Sequence, residues 1–217
     1  MPHPVKILCP LLAVVLLALP GASARRAGDP LDDLFARARA ARDSVRTLTA
    51  SFTETTVSTL LREPLVASGT LVVALPLRVV MTYTAPVAKT VALDESRLVV
   101  VGPGPHDRET LDIAPVQSRV NKYFRDASPE ALRRTFTITL APDPGGRNPY
   151  RLDLVPKRTR VAEGVSHLRL WIDRTRLLLV KMTLEYPSGD SKTFDLHDVR
   201  TNVPLADDAF AVLGRRN

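Results

Sequence analysis

From residue 49 onward the chain offers one strand-like segment after another. No interval between them is long and helical enough for a crossover between parallel strands. A parallel pair needs a connection of about a dozen residues or more, usually helical, whereas antiparallel neighbours close with tight turns. The sequence is therefore confined to an antiparallel sheet. Residues 67–86, ASGTLVVALPLRVVMTYTAP, show the signal at its clearest, as two strands meeting at Pro76. Leu77, Val79, Met81 and Tyr83 share one face, and Arg78, Val80 and Thr82 share the other. Further strands are predicted at 49–58, 87–93, 97–101 and 109–113, with Asp94-Glu95-Ser96 turning a hairpin.

The second half alternates more strictly. Phe136, Ile138 and Leu140 are interleaved with threonines. Tyr150, Leu152 and Leu154 then share a side, as do Leu168, Leu170 and Ile172 opposite His167, Arg169 and Trp171. The period-2 pattern sets Leu178, Val180, Met182, Leu184 and Tyr186 inward, and Phe194 and Leu196 inward on the last strand. Short turns at Asp173-Arg174-Thr175 and Pro187-Ser188-Gly189 make this a meander.

Helical signals are few. Residues 29–48 carry Leu31, Leu34, Phe35, Ala38, Ala41, Val45 and Leu48 at helical spacing, with Asp29 as cap and Pro30 at the first position. A short helix is predicted at 128–134 behind Ser128 and Pro129, and a weaker one at 116–126. The expected fold is mainly β with some α. About ten strands form a single large antiparallel sheet, strongly curled over the N-terminal helix.

Residues 1–24 stand apart. Lys6, the short apolar run 7–19 and Ala22-Ser23-Ala24 have the layout of a cleavable signal peptide, which predicts an exported mature chain over 25–217 forming one domain. The run is too short to span a bilayer as a helix. Cys9, the only cysteine, lies inside it, so the mature chain has no thiol for disulfides, nucleophilic catalysis or metal binding. The net charge of +7 suits anionic membrane surfaces or acidic partners. Nucleic acid is not expected as a partner, because the basic residues are dispersed and lack interleaved aromatics.

No residue set points to catalysis. His106, His167 and His197 fall in no metal-ligand spacing, and His197 and Asp198 point to opposite faces of a predicted strand. There is no G-x-S-x-G and no phosphate-cradling glycine loop. The chain is read as a non-enzyme without cofactor or metal. What remains is an inward β face with more apolar surface than one helix covers, and a cleft between sheet and helix suits an apolar ligand. Leu71, Val73, Val79, Met81, Leu98, Phe136, Ile138, Leu168, Leu170, Val180 and Met182 are the candidate lipid-binding residues.

The mature chain resembles the periplasmic outer-membrane lipoprotein carriers, the LolA-like family. The helix leads into Leu48-Thr49-Ala50-Ser51-Phe52-Thr53-Glu54, and Ser68-Gly69-Thr70-Leu71 is followed by Pro76 and an aliphatic strand ending at Tyr83 and Pro86. A hairpin around Asp94, then Tyr150-Arg151-Leu152-Asp153-Leu154 and Asp207-Asp208-Ala209-Phe210, complete the order. The resemblance implies an unclosed β-barrel covered by the N-terminal helix and a short helical lid, a periplasmic carrier that shields the acyl chains of lipoproteins, or of another lipid, in an apolar cavity. It also implies an inner-membrane donor complex and an outer-membrane acceptor, and a monomer is expected. Members carry an Arg before the Pro that helps hold the lid closed. Leu75 stands there, with Arg78 as the candidate substitute. Lys89 replaces a common Gln, and the aromatics frequent in the family's cavity give way to Leu, Val and Met. The alternative is a periplasmic sensor or regulatory module of the same fold that binds a membrane-protein or lipoprotein partner.

Overall fold

A computed structural model of the chain describes residues 29–114, 129–142 and 148–214. It consists of α1 (Pro30–Asp43), β1 (Thr47–Val57), β2 (Leu65–Ala74), β3 (Arg78–Ala85), β4 (Lys89–Leu93), β5 (Arg97–Val101), β6 (Arg108–Asp112), α2 (Pro129–Thr135), β7 (Phe136–Leu140), β8 (Tyr150–Pro156), α3 (Thr159–Ala162), β9 (His167–Ile172), β10 (Leu179–Glu185), β11 (Ser191–Thr201) and α4 (Ala211–Gly214). The leader and the weak helix at 116–126 lie outside the described residues.

All eleven strands form one antiparallel sheet in the order β6-β5-β4-β3-β2-β1-β11-β10-β9-β8-β7. β1 is the centre, because its two edges pair with β2 and β11 and so join the two halves of the chain. β6 and β7 are opposite edges that do not pair, so the sheet curls without closing. The expected unclosed antiparallel barrel is the fold found, with eleven strands rather than ten.

α1 begins as the sequence predicts. Asp29 Oδ1 accepts the Leu31 N–H at 2.9 Å, satisfying one of the donors that a helix start leaves free. It stops at Asp43, not at residue 48. The cause is Asn202, whose Oδ1 accepts the Arg46 N–H at 2.7 Å and whose Nδ2 donates to the Ser44 carbonyl at 2.9 Å. Its own N–H donates to the Thr47 carbonyl at 2.8 Å, and Leu75 N–H donates to the Arg46 carbonyl at 2.9 Å. These bonds draw the chain from Thr47 on into β1, where threonines suit the pleated surface. Asn202 holds this position at φ 57°, a left-handed conformation that asparagine tolerates.

Leu31 and Leu34 of α1 and Leu132 of α2 pack into the main core with inward residues from both halves of the sheet. Arg133 of α2 ties the two helices together through Asp29 at 2.6 Å and Asp32 at 2.7 Å. A second, smaller core lies on the outer face, where α4 places Leu213 against Val80, Ala92 and Val99.

Candidate functional site

Strand register builds the inner face row by row, because residues directly opposite on neighbouring strands share a face. On one wing Leu48, Val73, Val79, Leu93, Leu98 and Leu111 stand side by side from β1 to β6. Next to them run Ala50, Leu71, Met81 and Val91. On the other wing Phe194, Met182, Leu170, Leu152 and Leu140 form one row. Leu184, Leu168, Leu154 and Ile138 form the next.

Ten of the eleven candidate residues fall on this face and belong to or pack against one apolar cluster, the exception being Val180. Leu71, Val79, Met81, Leu98, Phe136, Leu168 and Met182 are buried, whereas Val73, Ile138 and Leu170 are half-buried. The period-2 pattern fails at Val180 for a physical reason. Leu179 opposes Ile172 and Lys181 opposes Trp171, so Val180 is the extra residue of a β-bulge. Leu179, not Val180, is buried with Met182 and Leu184.

Aromatic rings are not missing from this face. Phe52 meets Tyr83 edge-on at 5.0 Å and Phe194 at 6.4 Å. The first contact passes over Gly69, which pairs with both residues. A Cβ there would lie 2.1 Å from the Thr82 carbonyl oxygen and 2.9 Å from the Phe52 ring, so only glycine fits.

Sequence reasoning also missed a charged group on the inner face. Glu54 is buried, Tyr83 Oη donates to its Oε2 at 2.5 Å, and Lys192 Nζ donates to its Oε1. Burial, reinforced by the charge of Glu54 and the bond to it, pushes the Tyr83 hydroxyl well above the ordinary phenol range. The signal was present: Glu54 and Lys192 each sit at an inward position of an alternating strand. Lys89, the replacement for the common Gln, places its ammonium 4.3 Å from the Tyr83 ring centroid.

Arg78, the candidate substitute for the latch arginine, is not on the inner face. It lies on the outer face beside Val80, with its guanidinium 4.6 Å from the Phe210 ring centroid. The histidines do not converge. His106 is exposed in the β5–β6 turn, and His197 is exposed on β11. His167 sits on the outer face 3.7 Å from Asp153 and 3.9 Å from Glu185. Among the described residues the inner face offers apolar area together with the Glu54–Lys192 ion pair, an arrangement suited to holding an apolar ligand.

An open, curled antiparallel sheet with a helix laid on its apolar concave face defines the architecture of the lipoprotein-carrier superfamily. The family model for outer membrane lipoprotein carrier protein LolA matches residues 43–212, and the chain belongs to this family. Among solved structures, the chain is similar to the Mycobacterium tuberculosis lipoprotein LppX, with 14% identity and a TM-score of 0.52, covering 82% of this chain and 99% of that one. It is similar to an uncharacterized conserved protein from Thermus thermophilus, with 8% identity and a TM-score of 0.52, covering 84% of this chain and 93% of that one. The Pseudomonas aeruginosa MucA/MucB complex gives 16% identity and a TM-score of 0.48, over 84% of this chain and 60% of that one. No curated protein matches the chain at a significant level.

Proposed function

We propose that this protein is a non-enzymatic periplasmic carrier. It is exported by a signal peptide over residues 1–24 and shields the acyl chains of lipoproteins, or of another lipid, on their way to the outer membrane. An inner-membrane donor complex loads it and an outer-membrane acceptor unloads it. The observation that supports this reading is the half-buried state of Val73, Ile138, Leu140, Leu170 and Leu196, all pointing inward. Part of the concave apolar face is thus left with residual exposure, next to the fully packed Leu71, Leu98 and Met182. Each methylene moved from water onto such a face contributes about 0.8 kcal/mol, so a long acyl chain has ample driving force to stay bound.

Mass spectrometry of lipids extracted from protein purified from its native periplasm tests the reading. Acyl chains in stoichiometric amount are the expected result. Protein that carries none, and takes up no fluorescent fatty acid, would remove the basis of the proposal. Ile138→Ser with Leu170→Ser should weaken uptake about thirtyfold or more, since each removes apolar contact area worth about 1 kcal/mol or more.

A further inference from the structure

The residues least well buried are not scattered. Among the described residues seven large aliphatic side chains are exposed, and six of them gather at one end of the sheet: Val57, Leu60, Leu61, Leu65, Val66 and Val87. The register puts them together. Thr56 pairs with Leu65 at the head of the β1–β2 hairpin, and Ser68 pairs with Ala85, which brings the β3–β4 turn carrying Val87 alongside. The tip is held in shape: Leu61 N–H donates to the Ser58 carbonyl at 3.0 Å, and Thr59 N–H donates to Asp190 Oδ1 at 3.3 Å. Leu60 is presented at its apex with 91% of its surface exposed.

We propose that this end inserts into the acyl layer of a phospholipid bilayer carrying anionic headgroups. Two observations select a bilayer over a protein partner. Leu65 and Val66 are consecutive in a strand and so point to opposite faces, yet they are 50% and 54% exposed. A protein docking on one face of the hairpin covers only one of them, whereas end-on insertion covers both. β1 is paired on both sides and β2 pairs with β3 from Ser68 on, so the free edge of the hairpin is confined to residues 65–67, too short to add a strand. Charge agrees with this choice. Arg62 in the tip and Lys89 at the start of β4 offset Glu63 and Asp190 at this end, and the whole chain is at +7. The inference goes beyond the carrier reading, since it concerns how the chain meets a membrane and not what it holds.

The test uses the full mature chain and large unilamellar vesicles of phosphatidylcholine, with or without phosphatidylglycerol. The mature chain has no cysteine, so Leu60→Cys accepts a single environment-sensitive fluorophore. Thr175→Cys, exposed in the β9–β10 turn at the opposite end of the sheet, serves as control. Vesicles containing phosphatidylglycerol should co-sediment the protein and raise the emission at position 60 severalfold, with little change at 175. Leu60→Ser with Leu61→Ser should lower the vesicle partition coefficient by more than about tenfold, since even one inserted leucine is worth about that factor. The melting transition should hold, since both residues are exposed. Three results would overturn the proposal: no co-sedimentation, co-sedimentation indifferent to the double substitution, or a label that responds to membrane-free periplasmic extract but not to vesicles. The double variant should keep its co-purifying lipid, so failure here and failure of the carrier reading are separable.

Discussion

The two wings of the sheet bury their inner faces alike and treat their outer faces in opposite ways. On the β3–β5 wing the outer residues Val80, Ala92 and Val99 are covered by Leu213 of α4, with Phe210 and the guanidinium of Arg78 beside them. On the β8–β10 wing the outer face is a ladder of charge. Arg169 reaches Glu185 at 2.5 Å and Asp153 at 3.3 Å, Lys181 reaches Asp195 at 3.0 Å, and Thr183 meets Thr193 at 3.0 Å. The strand sequences state the difference. Leu98-Val99-Val100-Val101 is apolar on both faces, whereas Leu168 to Ile172 alternates. An uninterrupted apolar strand therefore marks a two-sided core even in an antiparallel sheet.

The largest effects should be equal on the two wings, because there the wings do the same thing. Leu98→Ala and Met182→Ala each remove a fully buried inner side chain and should each cost about 2–5 kcal/mol in urea unfolding. A wide gap between the two would mean that the inner face is not one cooperative core. The outer faces should then separate. Leu213→Ala should cost about 2 kcal/mol, since it uncovers Val80, Ala92 and Val99. Thr183→Ala, its counterpart on the charged wing, should cost less than about 1 kcal/mol. Equal losses at the two positions would erase the contrast.

How legible was this in the chain? The sheet, its antiparallel sense and the inward rows follow from period-2 alternation with short turns, and the helices found between strands, α2 and α3, span only seven and four residues. Three features escaped for distinct reasons. Val180 continues an unbroken apolar alternation, and a bulge shows in sequence only when it disturbs the pattern. α4 spans four residues, too short for helical periodicity, so the cover over Val80 could not be read from it. Glu54 and Lys192 sit at inward positions, but only register shows that they meet. The apolar tip was visible as Leu60-Leu61 and Leu65-Val66, but their exposure depends on where the hairpin ends.

Charge on the outer face should matter less than the packing. Arg169→Ala breaks contacts to Asp153 and Glu185 among side chains that remain about a third exposed, so it should cost about 1 kcal/mol or less and cost still less in high salt. Urea midpoints measured at low and high salt check this. A large loss that salt does not reduce would mean that the ladder is structural in the same sense as the packed wing.

The smallest expected effect compares the hairpin turns of the two wings, which share the sequence Asp-x-Ser/Thr-Arg. Asp94 Oδ1 accepts the N–H groups of Ser96 at 2.9 Å and Arg97 at 2.8 Å. Asp173 Oδ1 accepts those of Thr175 at 2.9 Å and Arg176 at 2.6 Å. Only Asp94 is also clasped by its arginine, at 2.8 Å, against 4.0 Å from Arg176 to Asp173. Burial works against the charge on Asp94, but these hydrogen bonds outweigh it and hold the carboxyl below the ordinary carboxylate range. A carboxyl with its folded value depressed contributes stability above its unfolded value, and that stability is lost as the pH falls through the folded one. Asp94→Asn keeps an oxygen for the two backbone donors and loses only the charge. Because Arg97 is substantially exposed, the cost at neutral pH should be about 0.5 kcal/mol, shrinking to nothing in acid below the carboxylate range. Urea midpoints of the variant and the parent, followed from neutral pH into that range, should converge. If they stay apart, the difference comes from the turn's shape and not from its charge.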